Sequence, residues 1–399
     1  MLPILSNVAG AATGYTIQTV AGSDFAGDGG LATAAQFGQL QGIALDSKGN
    51  LYVADAIDNR VRKITPDGLI RTVAGTGVAG FSGDGGPAAQ AQVNTPYGIA
   101  VDASGNLFIA DLGNARVRKV SAVTGTIQTV AGGGTIPGGG NGDGGLGTNV
   151  KLVTPRNVAV DGAGNLYISD FDGQRVYEVS PNGTLVTAAG NGTQGYSGDN
   201  GAAVLAQISY PTGLAVDAQG ALYIADSNNH RVRRVYQGQI TTVGASSVPG
   251  ATTFSLRTPT GLFLDALGNL WVADAGSGQV DRMNPFGAVT TVAVAAQDMA
   301  ADAAGNLYTV NSGLVQKITA SGVSSVVAGT GTYHYSGDGG AAASARLNSP
   351  AGVAVDASGA LYIADEGNHR VRRVSPGGII TTVAGTGQPG YSGDGGSAT

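Results

Sequence analysis

Aspartate and arginine recur at one fixed spacing, a combination that could serve catalysis or form an ion pair. The arginine stands five residues after the aspartate in five places: Asp55/Arg60, Asp111/Arg116, Asp170/Arg175, Asp226/Arg231 and Asp365/Arg370. A guanidinium can stabilise negative charge that develops in a transition state, but catalytic groups seldom occur in five equivalent copies. We therefore predict structural ion pairs, formed across the short hairpin loop between two strands.

Histidine and cysteine offer little for catalysis. The chain has three histidines, His230, His334 and His369, and no cysteine, so disulfides and a cysteine nucleophile are excluded. Because ligating side chains do not cluster, we predict no catalytic centre, no metal site and no cofactor. One alternative stays open, since the carboxylates and carbonyls of the Gly-Asp-Gly-Gly loops could bind Ca²⁺. The loop aspartates are Asp28, Asp84, Asp143, Asp199 and Asp338.

Aromatic side chains precede most of these loop aspartates by three residues. They are Phe25, Phe81, Tyr196 and Tyr335, with Gly140 as the exception, and Tyr391 stands in the same place before Asp394. Such residues could pack each loop onto the body of the fold, or they could recognise a peptide or a sugar. The segment 333–335 deviates most from the other copies. The candidate binding residues are therefore Tyr333, His334, Tyr335, Tyr196, Phe81 and Phe25.

Charge and hydropathy exclude two classes of partner. Basic runs occur at residues 60–63 and 116–119, but the net charge of −6 and the pI of 5.0 oppose the basic surface that nucleic acids require. No apolar stretch reaches about 18 residues, so we predict no membrane insertion. The first five residues are apolar without a basic segment, which does not fit a signal peptide.

These residues belong to a repeat unit whose central motif occurs seven times along the chain. In each copy an apolar strand ends in Asp, Gly follows three residues later, and a strand rich in β-branched and aromatic residues begins. Two more strands complete the copy, and no segment has the periodicity of a helix. We predict one all-β, monomeric propeller of four-stranded antiparallel blades, with seven blades favoured and six or eight left open. The turn aspartates are Asp46, Asp102, Asp161, Asp217, Asp265, Asp302 and Asp356.

Local residues specify parts of this unit. The turn aspartate can accept a hydrogen bond from the backbone two residues on, and the glycine supplies positive φ. Pro87 predicts a helical turn over residues 87–91. The third residue after the turn glycine is aromatic in every copy, which predicts packing between blades. These aromatic residues are Tyr52, Phe108, Tyr167, Tyr223, Trp271, Tyr308 and Tyr362.

The ends of the chain do not coincide with the ends of a repeat. Residues 15–22 have the pattern of a fourth strand, and after Asp394 the next turn aspartate would fall beyond Thr399. We interpret residues 1–14 as an N-terminal extension and residues 15–399 as the propeller. Either the chain is a fragment that ends inside a repeat, which we favour, or the terminal strands compete to close the ring.

The repeated phrases resemble the NHL repeat. The resemblance is carried by the strand that ends at Asp102 and by residues 105–111 and 114–120, and it weakens at Gln279 and Asn311. The Gly-Asp-Gly-Gly connection resembles that of bacterial extracytoplasmic NHL proteins and of the teneurin propeller.

This resemblance implies a β-propeller, mostly six-bladed in the family, that chiefly binds other molecules. We therefore expect a non-catalytic scaffold, secreted or at the surface of a bacterial cell, that binds protein or carbohydrate through one loop-bearing face. The alternative is a metal-dependent lyase or lactonase that uses the central channel, because a few relatives are enzymes.

Overall fold

Antiparallel four-stranded sheets make up the structure. The computed structural model describes residues 28, 40–65, 69–138, 142–245, 256–265, 268–285, 289–292, 298–301, 307–311, 314–319, 323–328, 336–387 and 389. Within these residues, six sheets have four strands in chain order, and a seventh has the same four strands plus a short one at its outer edge. We call these seven sheets blades 1 to 7. The predicted propeller of four-stranded blades is thereby confirmed.

The strands of each blade follow one another along the chain. Blades 1 and 2 contain β1 Leu40–Leu45, β2 Leu51–Asp55, β3 Arg60–Ile64, β4 Ile70–Ala74, β5 Pro96–Val101, β6 Leu107–Asp111, β7 Arg116–Val120 and β8 Ile127–Gly132. After the short pair β9 Ile136–Pro137 and β10 Val150–Lys151, blade 3 contains β11 Pro155–Val160, β12 Leu166–Asp170, β13 Arg175–Val179 and β14 Leu185–Ala189.

The remaining blades continue this order. Blade 4 contains β15 Gly201–Ala202, β16 Pro211–Val216, β17 Leu222–Asp226, β18 Arg231–Tyr236 and β19 Gln239–Ala245. Blade 5 contains β20 Pro259–Leu264, β21 Leu270–Asp274, β22 Gln279–Met283 and β23 Val289–Val292. Blades 6 and 7 contain β24 Asp298–Ala301, β25 Leu307–Asn311, β26 Leu314–Ile318, β27 Ser324–Ala328, β28 Pro350–Val355, β29 Leu361–Asp365, β30 Arg370–Val374 and β31 Ile380–Ala384.

The seven blades form a closed ring. The first strand of each blade contacts the first strand of the next, and β28 contacts β1. Closure rests on apolar packing, since Leu51 and Ile64 of blade 1 share a buried cluster with Tyr362 and Val371 of blade 7. The predicted strand at residues 15–22 and the chain end at Asp394 lie outside the described residues.

Turn aspartates hold the hairpin between the first two strands of a blade. Asp46 Oδ1 accepts hydrogen bonds from the backbone N–H groups of Lys48 and Asn50, each at 2.9 Å. Asp46 Oδ2 accepts from the Tyr52 hydroxyl at 3.2 Å. In blade 5 the aromatic residue is Trp271, which is fully buried and donates its indole N–H to Asp265. The turn aspartate therefore also binds the inter-blade aromatic residue, a contact that the sequence analysis did not predict.

The Gly-Asp-Gly-Gly connections cover the outer strand of the following blade. Gly85 donates its backbone N–H to the carbonyl of Ile127 at 2.8 Å, and Ile127 donates to the carbonyl of Gly86 at 3.0 Å. In blade 4 the connection becomes β15, which pairs with β19. An outer strand would otherwise offer unpaired N–H and C=O groups to other chains. Equivalent backbone bonds join residues 144–145 to Leu185 and residues 339–340 to Ile380.

Short 3-10 helices replace the helical turns that the sequence predicts. The turn expected at residues 87–91 is Ala88–Gln90, which follows Pro87 directly. Its counterparts in other connections are Gly147–Asn149, Ala203–Leu205 and Ala342–Ser344. A second set, between strands two and three of a blade, is Leu112–Asn114, Ser227–Asn229 and Glu366–Asn368.

The ion pairs of the repeat differ from the predicted ones. Asp111 lies opposite Arg116 in the strand register, as the spacing requires, but its ion pair is with Arg118, at 3.4 Å between Oδ2 and Nη1. Asp111 and Arg118 are both fully buried. Alternate residues of a strand share a face, so both arginines lie on the side of Asp111. Arg118 Nη2 also contacts Asp84 of the incoming connection, at 2.6 Å.

The same correction applies in two further blades. Asp226 pairs with Arg233 instead of Arg231, and Asp365 pairs with Arg372 instead of Arg370. The loop aspartates Asp199 and Asp338 complete these ion pairs, and Asp28 contacts Arg62 in blade 1.

The arginine that was predicted to pair also contacts the next connection. Arg60 and Arg175 donate to the carbonyls of Thr76 and Asn191, at 2.7 and 2.6 Å, which fixes the start of the next connection. Both stand opposite their predicted partners in the register, Asp55 and Asp170. Asp170 accepts backbone N–H groups from residues 153 and 154, and blade 3 has Tyr177 where blades 1, 2, 4 and 7 have the buried arginine.

Blade 5 has an aspartate, Asp281, at the position of the buried arginine. Asp281 is only 2% exposed, and Asp274 of the same blade is fully buried. Burial raises the pKa of Asp281 to about 6; a hydrogen bond with Thr291 opposes this shift, and the charge of Asp274 adds to it. The blade therefore holds two buried carboxylates where blades 1, 2, 4 and 7 hold a carboxylate and a guanidinium.

Replacing the buried guanidinium of Arg118 should destabilise the protein more than replacing that of the partly buried Arg116. Arg118→Met leaves the Asp111 carboxylate buried without its counter-charge, at a cost of about 3–5 kcal/mol. Arg116→Met removes only a stacking contact with the half-exposed Phe81, worth about 1 kcal/mol. Urea denaturation followed by circular dichroism measures the difference. Equal losses in the two variants would contradict the assigned ion pair.

The acid pair of blade 5 should make stability depend on pH. The folded pKa of Asp281 exceeds its ordinary value of 3.8, so stability is lost as pH rises from there through about 6. We expect Asp281→Asn to be more stable than the wild type above this range, by up to about 3 kcal/mol, and to lack this loss. Denaturation midpoints across the range test this, with the exposed Asp172→Asn as control. Parallel pH profiles for wild type and Asp281→Asn would contradict it.

Candidate binding site

A cavity of about 520 Å³ opens at the centre of the ring, where the first strands of the blades begin. The second residue of six of these seven strands lines it: Gln41, Tyr97, Arg156, Thr212, Thr260 and Ala351. The strands run close together here, since a side chain at Gly98 would meet the carbonyl of Arg156 at 2.8 Å. The mouth of the channel therefore takes its chemistry from a position that differs from blade to blade.

Aromatic rings hold one cation in this mouth. The Arg156 guanidinium lies 4.6 Å from the ring centre of Phe171 and 5.1 Å from that of Tyr97. Arg156 Nη2 donates to the Tyr97 hydroxyl at 3.1 Å. Phe171 in turn contacts Tyr210, with ring centres 4.7 Å apart. No carboxylate within the described ranges forms an ion pair with Arg156. The guanidinium is therefore placed to meet a ligand acceptor.

Tyr210 reaches this cluster through an unusual backbone conformation. Its φ is 52°, in the left-handed region that bulky residues rarely occupy. A hydrogen bond from its backbone N–H to the Gln174 side chain, at 2.7 Å, holds this conformation. Thr95 and Ser349 have the same φ at the equivalent positions, so the conformation belongs to the repeat and only the bulky aromatic ring is special to this blade.

Hydroxyl groups also line the cavity. Thr212 and Ser227 place their hydroxyl oxygens 2.6 Å apart, and Ser227 also donates to the carbonyl of Pro259. The buried Thr260 hydroxyl has no hydrogen-bond partner within the described chain. His230 also lines the mouth, and its Nδ1 contacts the carbonyl of Arg257. The site thus combines a cation, aromatic faces, hydroxyls and one imidazole.

The predicted binding residues lie elsewhere on the molecule. Phe81 and Tyr196 are each 43% exposed, and each stacks on an arginine that begins a third strand. The ring of Phe81 lies 3.8 Å from the guanidinium of Arg116, and that of Tyr196 lies 3.7 Å from that of Arg231. They pack each loop onto the body of the fold and leave one edge in solvent. Phe25, Tyr333, His334 and Tyr335 lie outside the described residues.

The loop aromatics and the cavity nevertheless share one face. Because neighbouring strands of a blade are antiparallel, the start of the first strand, the end of the second and the start of the third lie at the same end of the blade. The mouth includes residues 227–230, between the second and third strands of blade 4, and Phe81 stacks beside the equivalent turn of blade 2. This face carries the channel mouth and the aromatic residues of the loops, while residues 87–89 of the same connection lie at the opposite end of the blade.

Within the described residues, no group of three or more His, Asp or Glu side chains could hold a metal ion. The loop aspartates meet arginine or backbone groups: Asp84 contacts Arg118, and Asp143 accepts the backbone N–H of Thr187 at 2.9 Å. The Ca²⁺ hypothesis for these loops stays a prediction. In the same residues, no helix is long and apolar enough to cross a membrane.

Sequence reasoning missed Tyr97, Arg156, Phe171 and Tyr210. A usable signal was present, because the second position of the first strand is occupied by a different type of residue in nearly every blade while its neighbours repeat. A position whose residue type varies between repeats does not serve the structural role that the repeat residues share. In this fold, such positions lie together at the mouth of the channel.

Comparison with known proteins gives two families. The model of the Teneurin NHL domain matches residues 7–80 and 332–392, and that of the SMP-30/Gluconolactonase/LRE-like region matches residues 148–306. Teneurin-4 of Mus musculus is 28% identical over 364 residues, which cover 83% of this chain but only 12% of that protein.

Solved structures show the same fold at lower identity. A streptogramin B lyase has a TM-score of 0.57 at 13% identity, covering 88% of this chain and 95% of its own. The virginiamycin B lyase of Staphylococcus aureus has a TM-score of 0.56 at 14% identity, covering 82% and 91%. These likenesses concern the fold alone. The teneurin match confirms the expected resemblance to NHL propellers, and the solved structures agree with the β-propeller fold.

Proposed function

We propose that this protein is a non-catalytic binding scaffold that captures a protein or carbohydrate ligand on its loop-bearing face, at the mouth of the central channel. The observation that carries the proposal is Arg156, held between aromatic rings and facing the cavity without a carboxylate partner in the described chain. A guanidinium fixed in this way binds carboxylates in a defined orientation.

The surroundings of Arg156 suit a ligand that has both a carboxylate and apolar or sugar-ring surface. The rings of Tyr97, Phe171 and Tyr210 offer flat faces, and Thr212 and Thr260 offer hydroxyls. A carboxyl-terminal peptide or a uronic acid has this combination of groups. The likeness to NHL propellers supports binding as the activity, and it extends the proposal to a secreted or cell-surface setting.

A second candidate rests on His230. Contact of its Nδ1 with a carbonyl oxygen places the ring proton on Nδ1, so the neutral ring keeps Nε2 as a base beside the cavity. This arrangement would suit a lyase that removes a proton from a bound substrate. The similar fold of two lyases agrees with this candidate but adds only the fold.

Removing the Arg156 charge should weaken ligand capture. The probes are labelled tetrapeptides with free carboxyl termini, the same peptides amidated, and tetrasaccharides that contain uronic acids. We expect at least one carboxylate probe to bind, and Arg156→Gln to weaken it about tenfold or more, as for loss of a charge-assisted hydrogen bond. Lys151→Gln, which removes one exposed charge outside the cavity, should have no effect. Equal binding by wild type and Arg156→Gln would contradict the proposal.

Elimination from the uronic acid probes separates the two candidates. A scaffold should leave these saccharides intact, and no unsaturated sugar should form on prolonged incubation. Turnover that His230→Ala abolishes would overturn the scaffold and establish the lyase, because the substitution removes the imidazole beside the cavity. Product formation is followed by the ultraviolet absorbance of the unsaturated sugar.

A further inference from the structure

A second cavity, of about 440 Å³, lies between blades 1 and 2. It is lined by the hairpin turn at residues 46–48, by β4, and by the turns at residues 103–105 and 121–125 of blade 2. These turns join the first strand to the second and the third to the fourth. They therefore lie at the end of each blade opposite the channel mouth, and the two cavities are on opposite faces of the ring.

Three cationic side chains line this second cavity: Lys48, Lys63 and Arg71. Lys63 and Arg71 stand directly opposite each other in the pairing of β3 with β4. Like charges at opposed positions of a sheet repel each other and destabilise the pair. A bound anion would remove this repulsion.

The repeat itself shows that this charge is unusual. In the other blades, the position of Arg71 holds Gln128, Val186, Thr241, Thr290, Ser325 and Thr381. The position of Lys48 is likewise uncharged in the six other copies of the turn. Blade 1 alone therefore combines a cation in the turn with two opposed cations in the strands.

The acid at this cavity is already engaged. Asp46 accepts hydrogen bonds from two backbone N–H groups, from Asn50 Nδ2 at 2.7 Å and from the Tyr52 hydroxyl. Burial lowers the pKa of Lys63, and the charges of Arg71 and Lys48 lower it further while Asp46 opposes the shift. The charges that surround Lys63 are therefore positive on balance.

The rest of the lining is suited to a sugar ring. Ser47, Ser104, Ser121 and Thr124 supply hydroxyls, and Tyr52 supplies an aromatic face beneath the Lys63 ammonium, 5.2 Å from its ring centre. The volume of the cavity far exceeds that of an inorganic anion, because a water molecule occupies only about 30 Å³ in the liquid. We infer that this cavity binds a monosaccharide unit that carries an oxyanion.

The test measures binding by isothermal titration calorimetry with glucose 6-phosphate, glucose 6-sulfate, glucuronate and glucose. We expect at least one anionic sugar to bind and neutral glucose to fail, and the three anions show which oxyanion fits. Arg71→Thr should weaken binding about tenfold or more. Thr stands at this position in blades 4, 5 and 7, so the variant should fold, which circular dichroism checks.

Two further variants sharpen the test. Lys48→Ser removes an exposed charge from the turn and should also weaken binding. Lys119→Gln removes the lysine that corresponds to Lys63 in blade 2, over the ring of Phe108 and outside the cavity, and should leave binding unchanged. The inference is overturned if no anionic sugar binds, if glucose binds as well, or if both Arg71→Thr and Lys48→Ser bind like the wild type. The inference is independent of the proposed site at the channel mouth, which the Arg156→Gln variant tests.

Discussion

Burial of a guanidinium is the constraint around which blades 1, 2, 4 and 7 are arranged. Arg118 is fully buried, and arginine cannot lose its proton to escape the cost of leaving water. Two carboxylates meet it, Asp111 at the end of the second strand and Asp84 in the connection from the preceding blade. One of these comes from 34 residues away, so the ion pair joins consecutive repeats. The connection cannot move away without breaking the 2.6 Å contact between Asp84 and the buried Arg118.

Edge protection follows from the position of that connection. The second carboxylate oxygen of Asp84 accepts from the Thr129 hydroxyl at 2.6 Å, on the outer strand, and the glycines beside it pair with the same strand. The loop therefore both contributes a counter-charge to the buried Arg118 guanidinium and covers the open edge of the blade. In blade 3 the arginine is replaced by Tyr177, yet Asp143 still accepts from Thr187 of the outer strand. The edge contact can persist without the ion pair.

The sequence predicts what is local and misses what is assembled across repeats. Turn chemistry at Asp46 and its glycine depends on residues within a few positions, so strand order, turns and blade type could be predicted. The partner of Asp111 could not, because Arg116 and Arg118 share one face and the choice depends on a loop from another repeat. The cavity was missed for the same reason, since Tyr97, Arg156 and Tyr210 come from three different blades.

Function in such a ring is expected where the repeat stops repeating. Most charged residues have a structural partner that recurs from blade to blade, and a ligand that used them would have to compete with the fold. Arg156 at the channel mouth and Arg71 on the opposite face have no such recurring role. Each adds a cation where equivalent positions are mostly neutral, and each borders a cavity. The two cavities lie on opposite faces of the ring, so a ligand bound in one would not touch a ligand bound in the other.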